Sequence, residues 1–359
     1  MKVKAFITHK LCEQYADCQD RFCINEDNRT IAISDGMSQS IFPDYWSDLL
    51  SVQYANEGHC NEEDRIRLCD SWLRRVEEYR DEQVRDGKNP WKLNNFLAAH
   101  KGAGATICGV RFENATDWKG DVLGDSCVVE VDTGNNSVKI LSSEEKAFDY
   151  YPDYYDSFPE KKGRGTIKSF EGSISPDVIL LMVSDPFSEY IDKNKENAKD
   201  LVDQLLKLER HEDFCGLVDD WRSKGMHNDD STLCIIEFDG DINMNVIYQD
   251  NILNLMQNEK KEEIVSNMEQ TTPLPTEECI IEKQANQIEE KELGTSDTLQ
   301  SDKIRVFYDK VIKELDSLLS KKSKNKRWPP LNKESISKRD ISDIRNRLAE
   351  EYEKLMTSE

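Results

Sequence analysis

The chain has 359 residues, of which 71 are acidic and 48 basic, giving a net charge of −23. That excess argues against general nucleic-acid or anionic-membrane binding, because phosphate surfaces reward Lys and Arg. With 37% hydrophobic and 33% charged residues, the expectation is one large core plus a heavily solvated appendage.

Residues 3–8 alternate as an opening strand, and Thr30–Ser34 reads as a second strand running into Asp35-Gly36. From Tyr45 to Gln83 the apolar residues fall at helical spacing, with Trp46, Leu49 and Leu50 on one face and Trp72, Leu73 and Val76 on another. The pattern predicts two helices broken near Gly58. Strand signals follow at Ala105–Phe112, Trp118–Leu123, Cys127–Val131 and Ser137–Leu141, the last pair joined by the turn Thr133-Gly134-Asn135-Asn136. Residues 142–165 are rich in Tyr, Asp, Pro and Gly and read as an irregular loop.

Val178–Val183 and Leu233–Phe238 are strongly apolar runs of the kind that form buried strands, and Ala198–Leu208 and Asp213–Lys224 between them have helical spacing. Beyond residue 242 the composition shifts. Residues 243–302 read as an acidic, flexible, partly helical linker, and residues 303–359 as a helical hairpin suited to docking a partner or to self-association. No run approaches the ~18 apolar residues of a membrane span, and Met1-Lys2-Val3-Lys4 lacks the apolar stretch of a signal peptide. Ten cysteines are scattered without a CxxC and fit reduced core thiols. The expected location is cytoplasmic.

Acidic clusters recur at strand ends and turns: Asn25-Glu26-Asp27-Asn28, Ser34-Asp35-Gly36, Val183-Ser184-Asp185 and Asn228-Asp229-Asp230. Carboxylates at the ends of buried strands converge when the strands pack, and such a set suits a hard divalent cation. An Asp at a strand exit can bridge two cations, while the following Gly lets its own carbonyl approach one of them. Each cluster also has a plainer account: an Asx turn at Asn25–Asp27, capping of the helix after Asp185, a solvated loop tip at Asp229. No Ser-His-Asp or Cys-Arg arrangement is legible.

The ordered set Asn25-Glu26-Asp27, Ser34-Asp35-Gly36-Met37, Gly104-Ala105-Thr106, Leu123-Gly124-Asp125-Ser126, Val183-Ser184-Asp185 and Asp229-Asp230-Ser231-Thr232 resembles the PPM-type (type 2C) metal-dependent protein Ser/Thr phosphatases over residues 1–240. Details such as Asp35-Gly36-Met37-Ser38 followed by Trp46-Ser47, and Trp221-Arg222 before Asn228, resemble a divergent bacterial branch.

The resemblance implies an α+β fold, a four-layer αββα sandwich, occupying residues 1–242 with the helical appendage behind it. It implies two Mn²⁺ or Mg²⁺ ions bridged by Asp35, with the Gly36 carbonyl on one, Asp185 and Asp229 completing one site, and Glu26 and Asp27 reaching the other directly or through water. Asp125 would support a turn behind the site, and Thr106 would lie in the core. The implied reaction is attack on a phosphoserine or phosphothreonine by a water held between the ions. The implied partner is a phosphorylated protein, such as a cognate Ser/Thr kinase or its target. The alternative is a weak or inactive phosphatase-like module that binds a phosphoprotein and recruits others through the C-terminal helices. The chain departs from the family at Phe22, where many relatives carry a phosphate-binding Arg, so Arg21 is the phosphate contact offered instead. Glu144 or Glu145 is the positional candidate for a third metal.

Overall fold

A computed structural model describes residues 1–269 except 39, 115, 116, 144–151 and 174. Residues Met1–Gln270 form one compact unit. The hairpin expected at 303–359, most of the linker and Glu144 and Glu145 lie outside the described residues.

The first half runs β1 (Lys2–Thr8), β2 (Arg21–Asn25), β3 (Thr30–Ser34), α1 (Pro43–Glu57), α2 (Glu62–Arg85), α3 (Trp91–Ala98), β4 (Gly104–Ala105), β5 (Ile107–Phe112), β6 (Asp117–Leu123), β7 (Cys127–Asp132) and β8 (Ser137–Leu141). The second half runs β9 (Tyr154–Asp156), β10 (Gly163–Arg164), β11 (Lys168–Ser173), β12 (Val178–Val183), α4 (Asp185–Lys193), α5 (Ala198–Leu205), α6 (His211–Ser223), β13 (Ser231–Glu237), β14 (Asn245–Gln249) and α7 (Ile252–Glu269). One sheet has the order β14-β1-β13-β12-β7-β8, a second β11-β6-β5-β3-β2, and a small third β10-β9-β4.

Side-chain alternation explains how these sheets stack. On β3, Ile31 and Ile33 enter one core with Val110, Leu180, Met182 and Ile236, while Ala32 enters another with Trp46, Leu50, Tyr54 and Trp72. On β12 and β13, Leu180, Met182, Cys234 and Ile236 face the first of these, and Leu181, Val183, Leu233 and Ile235 face a third core with Phe187, Leu205, Phe214 and Trp221. Residues of opposite parity thus fill cores on opposite faces of one strand. Three cores separate four layers: α1 and α2, the five-stranded sheet, the six-stranded sheet, and α4 to α6. This is the αββα sandwich expected, and it accounts for the unbroken apolar run of β12, buried on both faces.

The broken helix pair is as read. Gly58 caps α1 in the left-handed region at φ 71°, and Asn61 opens α2 with a capping box. Three expectations need correction. The run Ala105–Phe112 is two strands, with Thr106 between them turned to other work. The loop at 142–165 contributes β9 and β10, which pair with each other, and β9 pairs also with β4. The sheet also extends past residue 242, because β14 pairs in parallel with β1. Its side chains alternate exposed and half-buried, and so short an amphipathic segment is hidden by its polar flanks. Among the described residues, no helix is long and apolar enough to cross a membrane.

Candidate metal centre

Strand register decides which carboxylates meet. Arg21 pairs with Ser34, so the residues just outside them, Asp20 and Asp35, flank one end of the β2–β3 hairpin. Val183 pairs with both Cys127 and Leu233, which brings Asp185, Asp125 and the Asp229-Asp230 pair to a common end of the six-stranded sheet. The two ends face each other. Asp35 feels the charges of Asp20, Asp185, Asp125 and Asp229, and Asp185 those of Asp125, Asp229 and Asp20.

Each carboxylate is held by backbone and hydroxyl contacts. The Asp35 N–H donates to Thr106 Oγ1 at 3.0 Å and its carbonyl accepts from the Thr106 N–H at 2.9 Å. Thr106 Oγ1 also lies 2.9 Å from Ser126 Oγ, so the Gly-Ala-Thr and Gly-Asp-Ser motifs serve to position Asp35. Thr106 is therefore buried, as expected, but acts through its hydroxyl. At Gly36 a Cβ would stand 2.8 Å from the Pro43 carbonyl, so only glycine admits this close approach.

Asp185 opens α4 behind Ser184, whose hydroxyl accepts from the Thr232 N–H at 2.9 Å. Ser184, not Asp185, is the N-cap residue of α4, so the capping account offered for Asp185 does not apply to it. Asp229 accepts from Lys10 Nζ at 2.9 Å, while Arg222 donates to its carbonyl at 2.8 Å. Asp230 is committed locally, accepting from the Lys10 and Gln19 N–H groups at 3.1 and 2.7 Å. Asp125 is buried, and its carbonyl accepts from Ser188 at 3.4 Å, which combines the turn-supporting role with a charge on the site.

Glu26 and Asp27 do not join this group. They are exposed in the turn beyond the Asn25–Thr30 pair, at the opposite end of β3 from Asp35. Asn25 Oδ1 accepts from the Asn28 N–H at 3.0 Å, so the turn is the Asx type. Glu26 instead accepts from the Val246 N–H at 3.3 Å. The place expected for them is filled by Asp20, 1% exposed, whose Oδ2 accepts from Thr232 Oγ1 at 2.8 Å. Gln19-Asp20-Arg21 just before a strand that pairs with β3 was the available sequence signal. It went unread because the acidic turn Asn25–Asn28 is the more conspicuous cluster.

Arg21 is also engaged elsewhere than on a phosphate. Its guanidinium donates to the Cys18 and Asp20 carbonyls at 2.8 and 2.7 Å and pairs with Asp44 at 3.1 Å. It ties the Asp20 segment to the start of α1, where Ser47 Oγ also donates to the Gln19 carbonyl at 2.7 Å.

Electrostatics mark the group as uncompensated. Burial, then the charge of Asp230, pushes the Asp20 carboxyl up to about 7. Burial and mutual repulsion hold Asp35 and Asp185 well above the usual carboxylate range. Lys10 is the cation in contact; burial opposes its charge, but Asp229 holds its ammonium above the ordinary lysine value. Among the described residues, no three His, Cys, Asp or Glu side chains stand as a ready-made ligand group for a metal ion. The donor chemistry still fits a hard divalent cation. The donors are carboxylate or carbonyl oxygens, and Asp20 Oδ1 is buried and accepts no hydrogen bond from the described residues.

No protein-family model matches the sequence, and no curated protein matches it. Similar solved structures include a bacterial serine phosphatase, at 14% identity over 67% of this chain and 98% of that one, with a TM-score of 0.45. A serine/threonine phosphatase from Staphylococcus aureus is similar at 16% identity over 66% of this chain and 94% of that one, TM-score 0.42. One from Mycobacterium tuberculosis is similar at 13% identity over 66% and 97%, TM-score 0.42. The four-layer assignment itself stands on the strand register and the three cores.

Proposed function

We propose that the chain is a divalent-cation-dependent phosphatase acting on phosphoserine or phosphothreonine in a protein substrate, such as a Ser/Thr kinase or its target. The supporting observation is the gathering of Asp20, Asp35, Asp125, Asp185 and Asp229 from separate strand ends, with one buried Asp20 oxygen that accepts no hydrogen bond from the described residues. Asp20, Asp35, Asp185, Asp229 and the Gly36 carbonyl would hold the cations. Two Mn²⁺ or Mg²⁺ ions would supply Lewis-acid activation of water and offset charge on the phosphoryl group.

The chain's own residues prepare that site. Thr106 and Ser126 fix the Asp35 backbone, and Arg21 and Ser47 fix the segment carrying Asp20. Arg222 holds Asp229 from behind, and Lys10 sits between Asp229 and Ser38, 2.9 Å from each. A flexible ammonium at that place can turn from Asp229 to a phosphate oxygen when cations arrive.

The test is release of phosphate from para-nitrophenyl phosphate and a phosphothreonine peptide, with and without Mn²⁺ or Mg²⁺ and a chelator. Turnover that requires metal and disappears in Asp35→Asn and Asp229→Asn is expected; full turnover in both variants would remove the assignment. The Lys10–Asp229 ion pair also favours a second reading, in which a lysine stands in for a cation and the domain binds a phosphoprotein without hydrolysing it. That reading expects metal-independent phosphopeptide binding, weakened by Lys10→Met, and no turnover with any divalent metal.

A further inference from the structure

Beside the acidic end, α6 and the turn after β14 bring together a second set of reactive groups. His211 and Cys215 stand four residues apart on one face of α6, with Cys215 Sγ 3.2 Å from His211 Nε2. On the other side of the ring, His211 Nδ1 lies 2.9 Å from Asp250 Oδ2. Asp250 is 7% exposed and also accepts from the Ile7 N–H at 2.9 Å and the Tyr248 hydroxyl at 2.8 Å. A carboxylate so held fixes the proton on Nδ1 and turns Nε2 toward the thiol, which is the arrangement that activates a cysteine nucleophile.

Hydroxyls complete the surroundings. Tyr15 lies 2.6 Å from His211 Nε2 and 3.8 Å from Cys215 Sγ, and Thr8 Oγ1 lies 3.6 Å from the sulfur. Burial of the thiol works to raise its pKa, but the His211 hydrogen bond and charge outweigh this and leave it below the ordinary thiol value. Burial likewise opposes the His211 charge, while Asp250 and Cys215 push the imidazole up to about 10. Beyond the triad, Thr8 from β1, Tyr15 and Arg222 from α6 face the thiol, Tyr248 from β14 donates to Asp250 and has Glu212 as a neighbour, and Glu259 from α7 accepts from the Tyr15 N–H.

We infer that Cys215 is an oxidant-sensitive modification site, a thiolate activated by His211 and Asp250 that reacts with hydrogen peroxide or a small alkyl hydroperoxide. Cys215 is half-buried, which suits a small electrophile better than a macromolecular substrate. The thiolate lone pair attacks one peroxide oxygen, the O–O bond breaks, and an S–O bond forms. Sulfur is oxidised to the sulfenic acid, the peroxide is reduced, and the leaving hydroxide or alkoxide takes the proton from His211 Nε2. The inference does not rest on the phosphatase reading, since Cys215, His211 and Asp250 are not among the clustered carboxylates, although Arg222 faces both groups.

The test follows alkylation of the full chain by iodoacetamide across pH, and dimedone trapping after peroxide, both read by peptide mass spectrometry. The exposed Cys12 serves as the internal reference. An ordinary thiol of pKa about 8.5 loses roughly 200-fold in rate between about pH 9 and about pH 6. Cys215 is expected to lose clearly less than Cys12 over that range, and to form the dimedone adduct about 10-fold ahead of Cys12. In His211→Gln burial is left unopposed, so the Cys215 loss should become at least as steep as that of Cys12. If that variant fails to fold, the native chain decides alone: a Cys215 profile parallel to that of Cys12, or no labelling of Cys215, overturns the inference.

Discussion

The two clusters of buried ionisable groups in this fold solve the same electrostatic problem in opposite ways. At the acidic end, carboxylates from both sheets crowd together with one lysine, and burial drives Asp20, Asp35 and Asp185 toward their neutral forms. At α6, the opposing charges come from the chain itself: Asp250 answers His211, and His211 answers Cys215. The first arrangement leaves its charges unbalanced among the described residues, whereas the second balances its own. A site that leaves its charges unbalanced is one prepared for a charged ligand.

The comparison is broken most severely by removing a central carboxylate. Asp35→Asn or Asp185→Asn should lower metal-dependent phosphate release more than ~100-fold, since outer partners of a metal alone are worth about 10–100-fold. Steady-state assay over a metal titration checks this, and retention of ordinary turnover would detach these residues from the chemistry. Next in size is the contrast between Asp20 and the acidic turn. Asp20→Asn should cost about 10-fold or more in turnover or in the metal concentration required, while Glu26→Gln and Asp27→Asn stay within about twofold. Equal losses in all three would restore the turn to the site.

Gly36→Ala should destabilise the domain by about 1–3 kcal/mol in chemical denaturation, because the added methyl meets the Pro43 backbone at 2.8 Å. An unchanged denaturation midpoint would show that the Asp35 loop relaxes freely. The smallest expected effect is the pH dependence of the α6 cluster. His211 is raised from 6.5 to about 10, so its contribution is fully present below about 6.5 and is lost as pH rises through about 10. Cys215 is lowered from 9.0, so its contribution is fully present above about 9 and is lost as pH falls. The two overlap between about 6.5 and 9, where the folded and unfolded states bind nearly equal numbers of protons. The Tm gap between the native chain and His211→Gln should be widest there, a few degrees, and narrow on either side. A gap independent of pH would mean that His211 stabilises by packing alone.

Much of this fold was legible because its elements repeat simple periods. The α1–α2 break at Gly58, the Asp132–Ser137 hairpin and the apolar runs of β12 and β13 are stated by residues close in sequence. Asp35, Asp185 and Asp229 were legible for the same reason, each lying at the edge of such a run. Asp20 was not, since its strand β2 is half-buried throughout and offers no strong alternation to mark the position before it. Arg21 looked like a phosphate contact for want of any sign that Asp44 and two carbonyls would claim it.

The sequence by itself determined the strand-end placement of the acidic residues and the parity that buries two faces of each central strand. Those properties are local, set by the two-residue period of a strand and the turn chemistry at its ends. Only the tertiary structure decided which end of each hairpin met the others, and so chose Asp20 over Glu26 and Asp27. It alone joined His211 and Cys215 to Asp250, 39 residues from His211 along the chain. Pairing across sheets and packing between layers carry no fixed spacing in sequence, so residues that meet through them are invisible until the strands are in register.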